Sequence, residues 1–230
     1  MEGRLGSLRF ALFALAATAG CSNEGSARST RPTDAADHVD ARGPESDAGG
    51  AASLRFFTGT VEGTDARIAV VAAKHHARLY FCGGDSTYMT LSRWVPAVID
   101  PSGDLEPDTA AELGWVVTGV LSGDVLDGLL RPGDASSYRF HAALVAHATI
   151  AGLYEGASTC GKVGLIVSQA SSSESPVAQG ACISSSGDGM ADIHQVNPVA
   201  PLERTSDGTI AVQVAGTSET LSLTPALVAD

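Results

Sequence analysis

The chain has 230 residues, 44% of them hydrophobic and 17% charged, with a formal net charge of −12 and a pI near 4.8. Fourteen Lys and Arg stand against 26 Asp and Glu, which argues against nucleic-acid binding through a basic surface. The acidity suits a solvated exported protein and names no partner.

The chain opens "MEGRLGSLRFALFALAATAGC", in which Arg4 and Arg9 supply a positive leading region and Phe10 to Ala17 a short apolar run. That run suits the central region of a signal peptide and is too short to span a bilayer as a helix. Small residues before Cys21 resemble the lipobox of bacterial lipoproteins. The resemblance implies residues 1–20 as a lipoprotein signal peptide and a diacylglyceryl group on the Cys21 thiol. The amine freed by cleavage would take a further palmitate-type chain, and two or more chains give stable membrane anchoring. Thr18 stands where most lipoboxes carry a large aliphatic residue, so ordinary secretory cleavage after Ala19 or Gly20 is the alternative. Ser22, rather than Asp, after the cysteine is compatible with transfer to an outer membrane. The expected location is therefore the cell envelope, at the outer membrane.

Residues 21–53 come next. From Ser22 to Ser53 there is one aliphatic side chain larger than Ala, Val39, and no Phe, Trp or Tyr. Such a stretch cannot bury enough apolar surface to offset its chain entropy and reads as a disordered, lipid-anchored tether.

Residues 54–230 are long enough for one domain with a real core. The runs "RFFTGTVEG", "ARIAVVA", "ARLYFCGG" and "WVPAVID" are short, rich in β-branched and aromatic residues, and broken by Gly or polar clusters. An acidic loop, "PSGDLEPD", follows. Then come "GWVVTGVLSG", "DVLDGLLRPG", "LYEGAST", "KVGLIVSQ", "QGACISSSGDG", "ADIHQV", "TIAVQVAG" and "TLSLTPA". Glycines inside strands, as in "TGTVEG" and "TGVLSG", mark bulges or corners where a sheet curves. The expectation is an all-β fold, an antiparallel meander forming a barrel or barrel-like sandwich. One short helix is left open at "DASSYRFHAALVAHATIAGL", where Phe140, Ala143, Leu144, His147 and Ala151 fit helical spacing, with Asp134 or Ser136 as cap.

With Cys21 carrying lipid, Cys82, Cys160 and Cys182 remain. Cys160 and Cys182 flank two strand-like runs that could pair as a hairpin, which favours their disulfide and leaves Cys82 free and buried; a pairing through Cys82 is the alternative. No C-x-x-C occurs and no His lies near a Cys pair, so zinc has no ligand set.

The segments "GTVEGTDARIAVV", "RLYFCGG", "GVLSG" and "RFHAAL…AGLYEG" resemble a group of bacterial exported proteins of unassigned function. Those proteins carry Gly-Thr-Val-Glu-Gly-Thr-Asp-Ala, Tyr-Val-Cys-Asp-Gly and Gly-Leu-Tyr-Arg segments. This chain departs at Gly83, where that pattern has Asp, and at Glu155, where it has Arg. The likeness implies a β-rich exported module and carries over no catalytic residue.

"FCGGDS" resembles the first block of the Gly-Asp-Ser esterases, which would make Ser86 a nucleophile with Asp192 and His194 completing a triad. Such a site needs His to accept the serine proton and Asp to orient the His. The likeness weakens downstream, because one residue rather than two separates Asp192 from His194. The Gly-x-Asn-Asp block and the long helices of that group are also missing. Gly-Asp-Ser is ordinary turn composition after a strand. A second alternative is a Ca²⁺ loop built from Asp100, Asp104, Glu106 and Asp108, which lacks EF-hand spacing and reads first as a solvated loop. Neighbouring His75 and His76 point to opposite faces of a strand, and His141 with His147 lacks a third ligand. Tyr80, Phe81, Trp94 and Trp115 read as core, with an aromatic ligand platform as the alternative. The expected function is a non-catalytic binding or structural β domain, with no cofactor. Its partner would be an envelope protein, a glycan or a small hydrophobic ligand in the barrel mouth.

Overall fold

A computed structural model describes residues 54–107, 114–133, 136–146, 148–184 and 192–228. The leader, Cys21, the tether before Leu54, Asp108 and His147 lie outside the described residues.

The strand-rich reading holds, and the meander closes twice rather than once. The first barrel contains β1 (Arg55–Val61), β2 (Arg67–Ala73), β3 (His76–Cys82), β4 (Arg93–Ile99), β5 (Asp104–Pro107), β6 (Trp115–Ser122), β7 (Val125–Pro132) and β8 (Tyr138–Leu144). Each strand is antiparallel to the next, and β8 returns to β1 with Thr60 opposite His141. The second barrel contains β9 (Gly152–Ser158), β10 (Gly161–Ser168), β11 (Val177–Ile183), β12 (Ile193–Pro198), β13 (Ile210–Val214) and β14 (Thr220–Pro225). It closes where β14 meets β9, with Thr224 opposite Glu155. Among the described residues every strand therefore has a hydrogen-bonded neighbour on both sides, as closure of a barrel requires.

Alternate residues of each strand fill each barrel. Phe57, Ile68, Val70, Leu79, Phe81, Leu126, Leu130 and Phe140 pack inside the first barrel, while Asp127, Arg131, Arg139 and His141 stand outside, exposed. Apolar inside and charged outside is the reverse of a lipid-embedded barrel. The second barrel is filled by Tyr154, Val163, Leu165, Val167, Val196, Val212 and Leu223, together with Cys182. Cys160 and Cys182 form a disulfide with Cα atoms 6.2 Å apart, and Cys82 is free and buried.

The barrels meet along a seam made by their outer faces. Ala69, Val71, Tyr80 and Cys82 from the first barrel pack against Leu153, Ile166, Ala181 and Ile193 from the second. Strands β2 and β10 therefore bury both faces, which is why "RIAVVAA" and "KVGLIVS" are apolar without alternation. The Tyr80 hydroxyl crosses the seam, accepting from the Ala181 N–H at 2.9 Å and lying 3.3 Å from the Gly164 carbonyl oxygen. An added Cβ at Gly164 would sit 2.6 Å from the Tyr80 ring, so the crossing requires glycine there.

A second tie runs beside it. Glu155 accepts from Arg78 at 2.9 Å and pairs with Lys162 at 3.2 Å. Both cations lie against the Trp94 ring, which stacks on Tyr80 with centroids 4.5 Å apart. Burial opposes ionisation of Glu155, but hydrogen bonds and charge from Arg78, then Lys162, outweigh it and hold the carboxyl at about 2.

Two sequence expectations are corrected. The segment read as a possible helix forms β8, with Phe140 and Ala142 facing in and His141 and Ala143 facing out. Pairing on both sides, with β1 and β7, selects the period of two over the helical one. The acidic loop contains a strand, β5, held by Leu105 in the core. The short helix among the described residues is α1 (Tyr88–Leu91), directly after the Gly-Asp-Ser.

Candidate functional site

The loop after β3 answers for Ser86. Asp65, in the β1–β2 turn, reaches across and accepts from the Ser86 N–H at 2.8 Å and from the Ser86 hydroxyl at 2.6 Å. The Thr87 hydroxyl donates to its other oxygen. An added Cβ at Gly84 would fall 2.6 Å from the Asp65 carboxyl carbon, so glycine makes this approach possible. Hydrogen bonds from Ser86, then Thr87, hold the Asp65 carboxyl well below the usual carboxylate range. A general base works best with a pKa near the operating pH, so Asp65 is a poor acceptor for the serine proton. Ser86 is an anchor that fixes the loop to the β1–β2 turn.

The other two triad candidates lie on the wrong side of their strand. His194 Nε2 is 3.2 Å from Asp192 Oδ2, so those two do meet. His194 sits opposite Cys182, whose side chain belongs to the interior of the second barrel. The next residue, Gln195, points the other way and donates to Asp85 of the Ser86 loop at 3.2 Å. Neighbouring residues in a strand face opposite sides, so the face of β12 that meets the Ser86 loop is not the face that carries His194.

The acidic loop is likewise committed internally. Asp100 Oδ1 accepts from Ser102 N–H at 2.8 Å and Asp104 N–H at 2.9 Å, closing a turn between β4 and β5. Those bonds, led by the Ser102 hydroxyl, lower the Asp100 carboxyl. Glu106 lies on β5, and no group of three or more His, Cys, Asp or Glu side chains among the described residues is placed to hold a metal ion.

What the fold does assemble is a polar groove of about 320 Å³ at one end of the seam. Asp65, Gly84 and Asp85 from the first barrel form one wall, and Gln179, Gln195 and Asn197 from the second form the other. The walls are tied together. Gln179 donates across the seam to the Asp65 carbonyl at 3.2 Å and to the Cys82 carbonyl, and Gln195 meets Asp85. Among the described residues, the Asn197 amide and the Gln195 side-chain carbonyl take no protein partner. Two further clefts, of about 360 and 350 Å³, flank the connection from β8 to β9. Their arginines are spent: Arg204 donates to the Tyr154 hydroxyl at 2.9 Å, and Arg67 to Ser168 at 3.3 Å.

Sequence reasoning singled out Asp85 and Ser86 as a motif but missed Gln179, Gln195 and Asn197. Those three come from two separate strands and follow no spacing rule; their signal was only a lone Gln179 in "VAQGACI" and Gln195 with Asn197 at alternate positions of "IHQVNP". No family model, curated protein or solved structure matches the chain.

Proposed function

We propose that the chain is a cell-envelope lipoprotein whose folded part is a non-catalytic binding module, with the seam groove as its binding site. The observation that carries this reading is the groove itself: a cleft whose walls are tied together by Gln179 and Gln195 while the Asn197 side chain is left to face a ligand, beside a serine whose proton is held by a depressed carboxylate. Pockets that bind small ligands fall at roughly 300–1,000 Å³, so the groove lies at the lower end of that range. The lipobox-like leader and the likeness to bacterial exported proteins support anchoring through Cys21 at the outer membrane.

Two measurements test this. A fluorophosphonate serine probe, run beside Ser86→Ala, should leave the folded chain unlabelled; labelling that vanishes in the variant would replace this reading with an esterase. Growth of an expressing bacterium with a clickable palmitate analogue should label the chain, and Cys21→Ala should abolish the signal. Equal labelling of the variant would remove the anchor from the account.

A further inference from the structure

Resting on the reading of the groove as a binding site, we infer that its ligand is a neutral polyhydroxylated one, a short glycan. No Lys or Arg lines the groove, and the chain carries a net −12, so phosphates, anionic lipids and nucleic acids are repelled. Cations fare little better. Of the two carboxylates, Asp65 is saturated by Ser86 and Thr87, and Asp85 already shares an oxygen with Gln195. One partly occupied exposed carboxylate gives a cation little to pair with, because such ion pairs contribute about 0–1 kcal/mol.

What remains suits hydroxyl groups. A carboxamide offers two N–H donors and a carbonyl acceptor, and a sugar hydroxyl also donates and accepts, so the two match without charge. Gln195 and Asn197 lie on the same face of β12, two residues apart, which sets them about 7 Å from each other. One sugar ring can bridge them, with Asp85 accepting a further hydroxyl from the opposite wall. Gly83, Gly84, Ala178, Gly180 and Val196 line the remainder, which therefore holds no charged or aromatic side chain. The site is also preorganised. Gln179 and the Asp65 anchor fix both walls before any ligand arrives, which lowers the ordering cost of binding.

The test titrates the intact chain with chitotriose, cellotriose and maltotriose while amide chemical shifts are followed by NMR. At least one should shift the amides of Gly84, Asp85, Gln195 and Asn197 in a saturable way. Asn197→Ala and Asp85→Asn, both at exposed positions, should each weaken that binding about tenfold, the loss of one hydrogen bond. Spermidine and inorganic phosphate are titrated in parallel. If spermidine or phosphate moves these amides and no sugar does, the groove remains a site and the glycan assignment is overturned. If none of the probes moves them, both the glycan assignment and the groove as binding site fall.

Discussion

Strands β2 and β7 belong to the same barrel and point alternate side chains into the same core, yet their other faces have different fates. In β2, Ala69 and Val71 are buried against the second barrel, whereas in β7, Asp127, Leu129 and Arg131 are exposed. The sequences record this: after Arg67, "IAVVAA" is continuously apolar, while "VLDGLLRP" carries Asp127 and Arg131 on its exposed face. A barrel strand that loses its alternation has a second layer against it. Here that layer is another barrel, and the groove is where the layer ends.

The comparison can be broken most sharply by a charge. Val71→Asp places a carboxylate in the seam with no partner and should cost about 4 kcal/mol or more, read as collapse of the urea midpoint. Leu129→Asp, on the free face of the same barrel, should change stability by no more than about 0.5 kcal/mol. Similar effects at the two sites would deny that the seam is a buried contact.

Removing the disulfide asks how much the second barrel relies on its own interior rather than on the seam. Replacing Cys160 and Cys182 together by Ala opens a link 22 residues long and should cost about 3 kcal/mol in the same denaturation. A loss under about 1 kcal/mol would show that the seam and the apolar core suffice.

Tyr80→Phe sharpens the comparison to a single bond. It keeps the ring and its stack on Trp94 but leaves the buried Ala181 N–H without its partner, at a cost of about 1–3 kcal/mol. Tyr138, half-buried against the interior of the first barrel, makes no side-chain hydrogen bond across the seam among the described residues. Its Phe variant should be near neutral.

The smallest expected effect is an acid one. Glu155 has an ordinary value of 4.5 and a folded value of about 2, so its ties to Arg78 and Lys162 contribute fully above pH 4.5. That contribution is lost as pH falls from 4.5 through about 2, with an amplitude on the order of 1 kcal/mol once solvent screening of this partly exposed group is counted. Glu155→Gln should flatten this limb of the stability curve; an unchanged limb would assign it to other carboxylates.

Much of the fold was legible because strand signals are local. Nearly every β-branched or aromatic run became a strand, and the pairing of Cys160 with Cys182 followed from their places beside β10 and β11. The failures have physical causes. The run around Phe140 fits two periods, and only pairing with β1 and β7 decides between them. Strand β5 offers a single buried side chain, Leu105, among acidic neighbours. Two closures instead of one could have been suspected from "ARIAVVA" and "KVGLIVSQ", since continuous apolar runs need cover on both faces. The groove was hidden more deeply. Asp65 and Asp85 come from two loops of the first barrel and Asn197 from β12 of the second, and only the seam brings the two walls together.

Closure of the seam in the native chain is what holds the two barrels and the groove together, and Cys82 reports on it directly. Its thiol lies inside the seam, and burial pushes it up to about 11, so it is neither accessible nor ionised at neutral pH. With Cys21→Ser leaving Cys82 as the free thiol, labelling by a disulfide reagent under native conditions measures how often the seam opens. The predicted result is labelling only at the rate of global unfolding, with an opening free energy equal to that of denaturation. Labelling as fast as that of an exposed thiol, with both barrels still folded, would contradict it.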